Sequence, residues 1–182
     1  MSERMPGLFE LVWKSAVVHT ASYFVIGATA YYLFDYASAF STGALGTVMV
    51  ETSEPIVTAG PLFQPIRGAL FGLVFFLLRD ALFARRNGWL VMWAMLAIVG
   101  ILNTFGAPAG SIEGAIYTRF SWPAMIHPAM SEVYAQSLAL AAGVFFWIRY
   151  PRNWWLAGLF GLFACLAVAG ALAGIFLAPM AG

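Results

Sequence analysis

The sequence predicts an all-α integral membrane protein with five transmembrane helices, the N-terminus cytoplasmic and the C-terminus extracytoplasmic. Three observations carry this. Hydrophobic residues make up 62% of the 182-residue chain and charged ones 9%, whereas soluble domains carry about a quarter charged. The apolar residues gather into runs long enough for a hydrocarbon core about 30 Å thick. The basic residues are distributed unevenly between alternate connections, as cytoplasmic Lys/Arg excess requires. The length fits a single domain, 1–182.

The first helix is predicted over about 11–34, with Trp13 and Lys14 near its inner end and Tyr31, Tyr32 and Tyr36 near its outer end. Those aromatics fit interfacial belts, and Lys14 fits a side chain snorkelling toward the headgroups. Ala37-Ser38-Ala39 resembles a signal-peptide cleavage site, but cleavage there would follow about 39 residues, more than a signal peptide spans. The run therefore reads as a retained membrane helix.

An outer loop over 35–64 follows, with no Lys or Arg and with Asp35, Glu51 and Glu54 as its charges. A loop of that length is expected to pack in part, and 39–50 suits an interfacial or re-entrant piece. The second helix, over about 65–83, is the segment on which the orientation rests. One arginine, Arg67, lies at its outer end, and Arg79, Arg85 and Arg86 lie at its inner end. Gly68 and Gly72 form a small-xxx-small pair that lets another helix approach closely. The third helix is expected over about 89–105, and a second outer loop over 106–128. The fourth is expected over about 129–150 with Ser131 as N-cap, and the fifth over about 156–177. Gly161, Gly170 and Gly174 give the fifth a small-residue packing face.

The charges support this alternation. Arg4, Lys14, Arg79, Arg85, Arg86, Arg149 and Arg152 fall inside, and Arg67 and Arg119 outside. The pattern suits a bacterial-type inner (cytoplasmic) membrane. Five helices do not divide into two equal halves, which argues against an inverted-repeat transporter.

Few residues carry chemistry. Gln64, Arg67, Glu113, Arg119, His127 and Glu132 fall at one membrane level, at the outer ends of the second and fourth helices and in their loops. They read either as an ion pair of Arg67 with Glu132 or Glu113, or as a ligand site with arginine forks for a headgroup, carboxylate or other anion. A catalytic reading, with His127 as general base, has no diagnostic spacing behind it. His19, inside the first helix, is expected to find a polar partner. Its functional alternative is an axial ligand to a haem or a chlorin pigment, since Ser15 one turn earlier leaves room for a flat ring. A haem shared with His127 would span roughly 22 Å of depth, fifteen residues at 1.5 Å each.

The glycine-rich stretch over 106–114 lacks the lysine of a phosphate-binding loop and reads as a tight turn. Cys165 is the sole cysteine, so neither a disulfide framework nor a cysteine metal site is expected. No catalytic residue, metal or cofactor is predicted, and no basic stripe suits nucleic acid. The leading expectation is a small non-catalytic accessory or assembly subunit of a larger membrane complex. Its partners would be membrane lipids and other membrane subunits or a second copy of itself. The alternative is a lipid- or small-molecule-binding protein, and so conceivably an enzyme, with its site at the outer face; a pigment- or haem-bearing subunit stands third.

Overall fold

The computed structural model describes residues 5–42, 46–47, 49–106, 108–119 and 127–177. Among them every regular element is helical. The helices are α1 (Leu8–Leu33), α2 (Tyr36–Ala39), α3 (Pro55–Thr58), α4 (Gly60–Leu77), α5 (Arg79–Phe83), α6 (Gly88–Ala94), α7 (Ile112–Tyr117), α8 (Met130–Arg149) and α9 (Trp154–Leu177). A π-helical segment, Met95–Leu102, continues α6.

Among the described residues three helices are long and apolar enough to cross a membrane: Gly60–Leu77, Met130–Arg149 and Trp154–Phe176. The longest helix, α1, is not among them, because Glu10, Lys14, His19 and several hydroxyl residues interrupt it. Yet α1 is the hub of the bundle, packed by α4, α8 and α9. The pattern is inside-out. Lys14, Ser15, His19, Thr20 and Ser22 of α1 are buried, while Leu70, Leu77, Leu159 and Leu162 of the surrounding helices are exposed. Hydrocarbon accepts Leu side chains and rejects unpaired polar groups, so a polar helix is favoured at the centre of an apolar sheath.

Several hydroxyl groups of α1 are satisfied locally. The Thr20 hydroxyl donates to the Ala16 carbonyl at 2.8 Å and the Ser22 hydroxyl to the His19 carbonyl at 3.1 Å. Lys14 does not snorkel as expected. It is 4% exposed, its Nζ lies 2.8 Å from Glu10 Oε1, and it donates to the Trp147 carbonyl at 3.3 Å. The Trp13 and Trp147 rings flank it at 5.9 and 5.4 Å. A lysine so enclosed offsets the negative C-terminal end of α8. The contact also makes α1 and α8 antiparallel.

The α1–α4 seam is the closest approach. A Cβ on Gly68 would stand 2.6 Å from Ala16 Cα, and one on Gly72 2.6 Å from Val12 Cα. These two glycines are the packing pair expected from the sequence, and α1 is their partner. The fifth-helix glycines divide differently. Gly161 and Gly170 face open space, while a Cβ on Gly174 would meet Thr58 Cγ2 at 2.6 Å.

Element boundaries depart from expectation in several places. The second helix begins at Gly60, because Pro61 fits the first turn, where its missing N–H costs nothing, and the helix then carries Pro65 inside. It breaks at Leu78 before α5 resumes. The third helix is α-helical only to Ala94 and π-helical beyond. Ser131 is not the cap of α8. Ala129 holds that position, and its N–H is accepted by His127 Nδ1 at 3.2 Å. The 35–64 connection carries the short helices α2 and α3, while 43–45 and 48, inside the expected re-entrant piece, lie outside the described residues.

The apolar core sits toward one end of the bundle. Leu11, Val18, Phe75, Leu82, Phe83, Met92, Val144, Phe145 and Trp147 pack there, with the Phe83 and Phe145 rings stacked at 5.7 Å. Arg79, Arg85, Arg86, Arg149 and Arg152 follow from the same end in the chain; Arg4 lies outside the described residues. At the opposite end the helices separate.

Candidate functional site

The separation at the second end is a cleft of about 640 Å³ between the last turns of α1, the start of α8 and the late turns of α9. That volume falls within the roughly 300–1,000 Å³ of small-molecule sites. Its walls are Tyr23, Phe24, Gly27, Tyr31 and Tyr32 of α1, Tyr36 and Phe40 beyond it, Met130, Glu132 and Val133 of α8, and Ala167, Gly170 and Ala171 of α9. Thr52, Val57, Thr58 and Pro61 of the first connection close one side.

Glu132 organises the polar end. The Tyr36 hydroxyl donates to its Oε2 at 2.5 Å and Gln136 Nε2 donates to its Oε1 at 2.8 Å. A donor on each oxygen is the arrangement of an ionised carboxylate, which accepts only. Burial, followed by the bond to Glu132, pushes the Tyr36 phenol well above its ordinary range, so it keeps its proton and remains a donor. Local sequence explains the geometry. Glu132 and Gln136 are one helical turn apart on α8. Asp35 sits in the left-handed conformation at φ 47°, which ends α1 and turns Tyr36 back over the cleft. Glycine at 27 leaves space beside α1: a Cβ there would lie 3.5 Å from Glu132 Oε1.

The residues expected at the outer face do not assemble into one site. Glu132 lies in the cleft. Arg67 does not line it; its Nη1 donates to Gln64 Oε1 at 3.3 Å, and buried Gln64 donates to the Gly60 carbonyl at 3.1 Å. Among the described residues Arg67 forms no ion pair, with Glu132 or with Glu113. Glu113 lies in the first turn of α7 and Arg119 is exposed two residues beyond its end. His127 is exposed, meets Phe34 edge-on at 6.3 Å, and accepts the Ala129 N–H just ahead of α8.

The expected glycine-rich turn contains a small helix the sequence reading missed. Ser111 Oγ accepts from the Gly114 N–H at 2.9 Å and caps α7. Gly114 is required there, since a Cβ would collide with the Pro108 carbonyl.

His19 is 5% exposed. Ser15 Oγ beside it has no hydrogen-bond partner among the described residues, and the polar group that faces the His19 ring is the Gln64 side chain, outside good hydrogen-bond geometry. Its ring meets Phe71 edge-on at 5.2 Å, and Gly68 presses on its Cβ. The side of His19 that faces α4 is thus filled by protein. No group of three or more His, Cys, Asp or Glu suited to a metal occurs among the described residues.

The cleft residues missed by sequence reading are Tyr23, Tyr31 and Tyr36, together with Gln136, which holds Glu132 from beside the cleft. Tyr31 and Tyr36 were assigned to an interfacial belt, and Tyr23 was given no role. The signal that could have found the site was the Glu132–Gln136 turn combined with tyrosines at 23, 31 and 36. Bundle and cleft together define a helical protein with three apolar helices of membrane-crossing length. Comparison with family models, curated proteins and solved structures finds no match to this chain.

Proposed function

We propose that this is a multi-pass membrane protein that binds a lipid or small amphiphilic molecule in the cleft at its outer face. The carrying observation is the cleft itself: about 640 Å³, apolar and aromatic along its walls, with Glu132, Tyr36 and Gln136 fixed at one end. An apolar concavity with a few placed polar groups is the common form of a small-molecule site. Five crossings fit the antiparallel packing, with α1 and the Gly88–Leu102 segment joining the three apolar helices. The arginine-rich end is cytoplasmic in this reading.

The test is native mass spectrometry of protein extracted from its own membrane in mild detergent. The wild type should retain a discrete small adduct, and Gly170→Leu, which fills the cleft from open space, should lose it. Equal adducts on both proteins would refute the reading.

A second reading, an accessory subunit of a larger complex, is favoured by α9. Its window Trp154–Phe176 is 11% buried, and Gly158 and Gly161 meet nothing within 4 Å. Such a face suits close helix packing. The same spectra test it: stoichiometric additional chains support a subunit, and a bare 19.7 kDa mass contradicts it.

A further inference from the structure

We propose that the occupant of the cleft is an organic cation, an amphiphile bearing a quaternary or protonated amine. This rests on the binding role proposed above and gives it a charge and a chemical class. Among the described lining residues Glu132 alone carries a formal charge; Arg67 and Arg119 do not line the cleft, and of the two only Arg67 lies near enough to act on the wall, at Tyr23. The cleft therefore favours the opposite sign of ligand from the anion that the outer arginines suggest in the sequence.

The walls have matching chemistry. Tyr23, Tyr31, Tyr32, Tyr36 and Phe40 line the cleft that holds the carboxylate, with Tyr36 bonded to it. The Tyr36 and Phe40 rings stack at 4.9 Å, and Tyr31 meets Tyr32 edge-on at 5.2 Å. Aromatic faces carry negative quadrupole density, and an aromatic cage with a carboxylate is the usual receptor for alkylammonium groups. Desolvation strengthens both attractions. An anion would meet Glu132 unfavourably, and a neutral headgroup would gain hydrogen bonds without the charge attraction. Beyond the charged end, Val133, Ala167 and Ala171 offer apolar surface to a hydrocarbon tail.

The experiment uses two probes of one shape and opposite charge, tetraphenylphosphonium and tetraphenylborate. Each is measured by equilibrium dialysis against the full chain in a neutral detergent. The wild type should bind the phosphonium at least about tenfold more tightly than the borate. Glu132→Gln should erase that preference. Tyr31→Ala, which keeps the carboxylate, should weaken the phosphonium by about three- to tenfold. If Glu132→Gln does not fold, Tyr31→Ala and Gly170→Leu carry the test, and phosphonium binding undiminished in both overturns it. Borate bound as well as phosphonium, and displaced by Gly170→Leu, overturns the charge assignment while leaving the cleft as a binding site. Neither probe bound, together with no native adduct, would overturn both.

Discussion

Replacing Gly72 by alanine probes the α1–α4 seam most sharply, because the same change elsewhere should have the opposite sign. In an exposed helix interior, alanine is favoured over glycine by about 1 kcal/mol through backbone entropy. At Gly161, where an added Cβ meets nothing within 4 Å, that gain should appear undiluted. At Gly72 the Cβ would lie 2.6 Å from Val12 Cα and 2.7 Å from the Leu11 oxygen. Carbon atoms rest about 3.5–4.0 Å apart, so α4 must retreat by about 1 Å. The obstacles are backbone atoms, which cannot rotate away. A gap of that size forfeits up to about half the attraction of each contact along the seam. Overpacking of this kind costs about 1–3 kcal/mol, and the upper end applies here. The net effect for Gly72→Ala is a loss of about 2 kcal/mol, roughly 5 °C in Tm for a chain of this size. Tryptophan fluorescence during heating in detergent reads it out. A Gly72→Ala midpoint equal to or above that of Gly161→Ala would refute the close-packed seam.

Other expectations follow from the same contacts. Lys14→Met removes a charge enclosed by Glu10, Trp147 and two indoles, and should destabilise by about 3 kcal/mol in the same melts, where a snorkelling lysine would cost almost nothing. Tyr36 supplies a pH dependence whose sign is fixed. Its folded phenol titrates above the ordinary value of about 10. Below pH 10 both states are protonated and its contribution is fully present; above it the unfolded state ionises first, so stability falls as pH rises. Tyr36→Phe should therefore melt lower at pH 8 and show a shallower decline between pH 9 and 11, measured by thermal unfolding across that range. Ser111→Ala removes the cap of α7 and should cost about 1 kcal/mol, read locally as faster amide exchange in Ile112–Tyr117.

Much of the scaffold was legible from hydropathy. Residues 129–150 and 156–177 correspond to α8 and α9 within a few positions, and Gly68 and Gly72 pack as small-xxx-small pairs do. The hierarchy of helices was not legible. Apolar runs drew attention to the segment around α4, yet α1, the more polar helix, is what the others surround. Hydropathy measures what lipid tolerates, and a polar helix sheathed by apolar ones scores poorly because it is central. The site was legible in one residue, Glu132. Its partners Tyr36 and Gln136 were missed because the αL turn at Asp35, which brings residue 36 across to α8, leaves no periodic trace. Arg67 and Arg119 were grouped with Glu132 by membrane depth, and depth says nothing about azimuth around the bundle.

The claim that matters most is that the cleft is open on the outer side and floored by α9. A Gly170→Cys variant in a Cys165→Ser background tests it with a membrane-impermeant maleimide applied to intact cells. The account predicts labelling from outside that is suppressed by prior incubation with tetraphenylphosphonium. Labelling only after permeabilisation, or labelling indifferent to the cation, would contradict it.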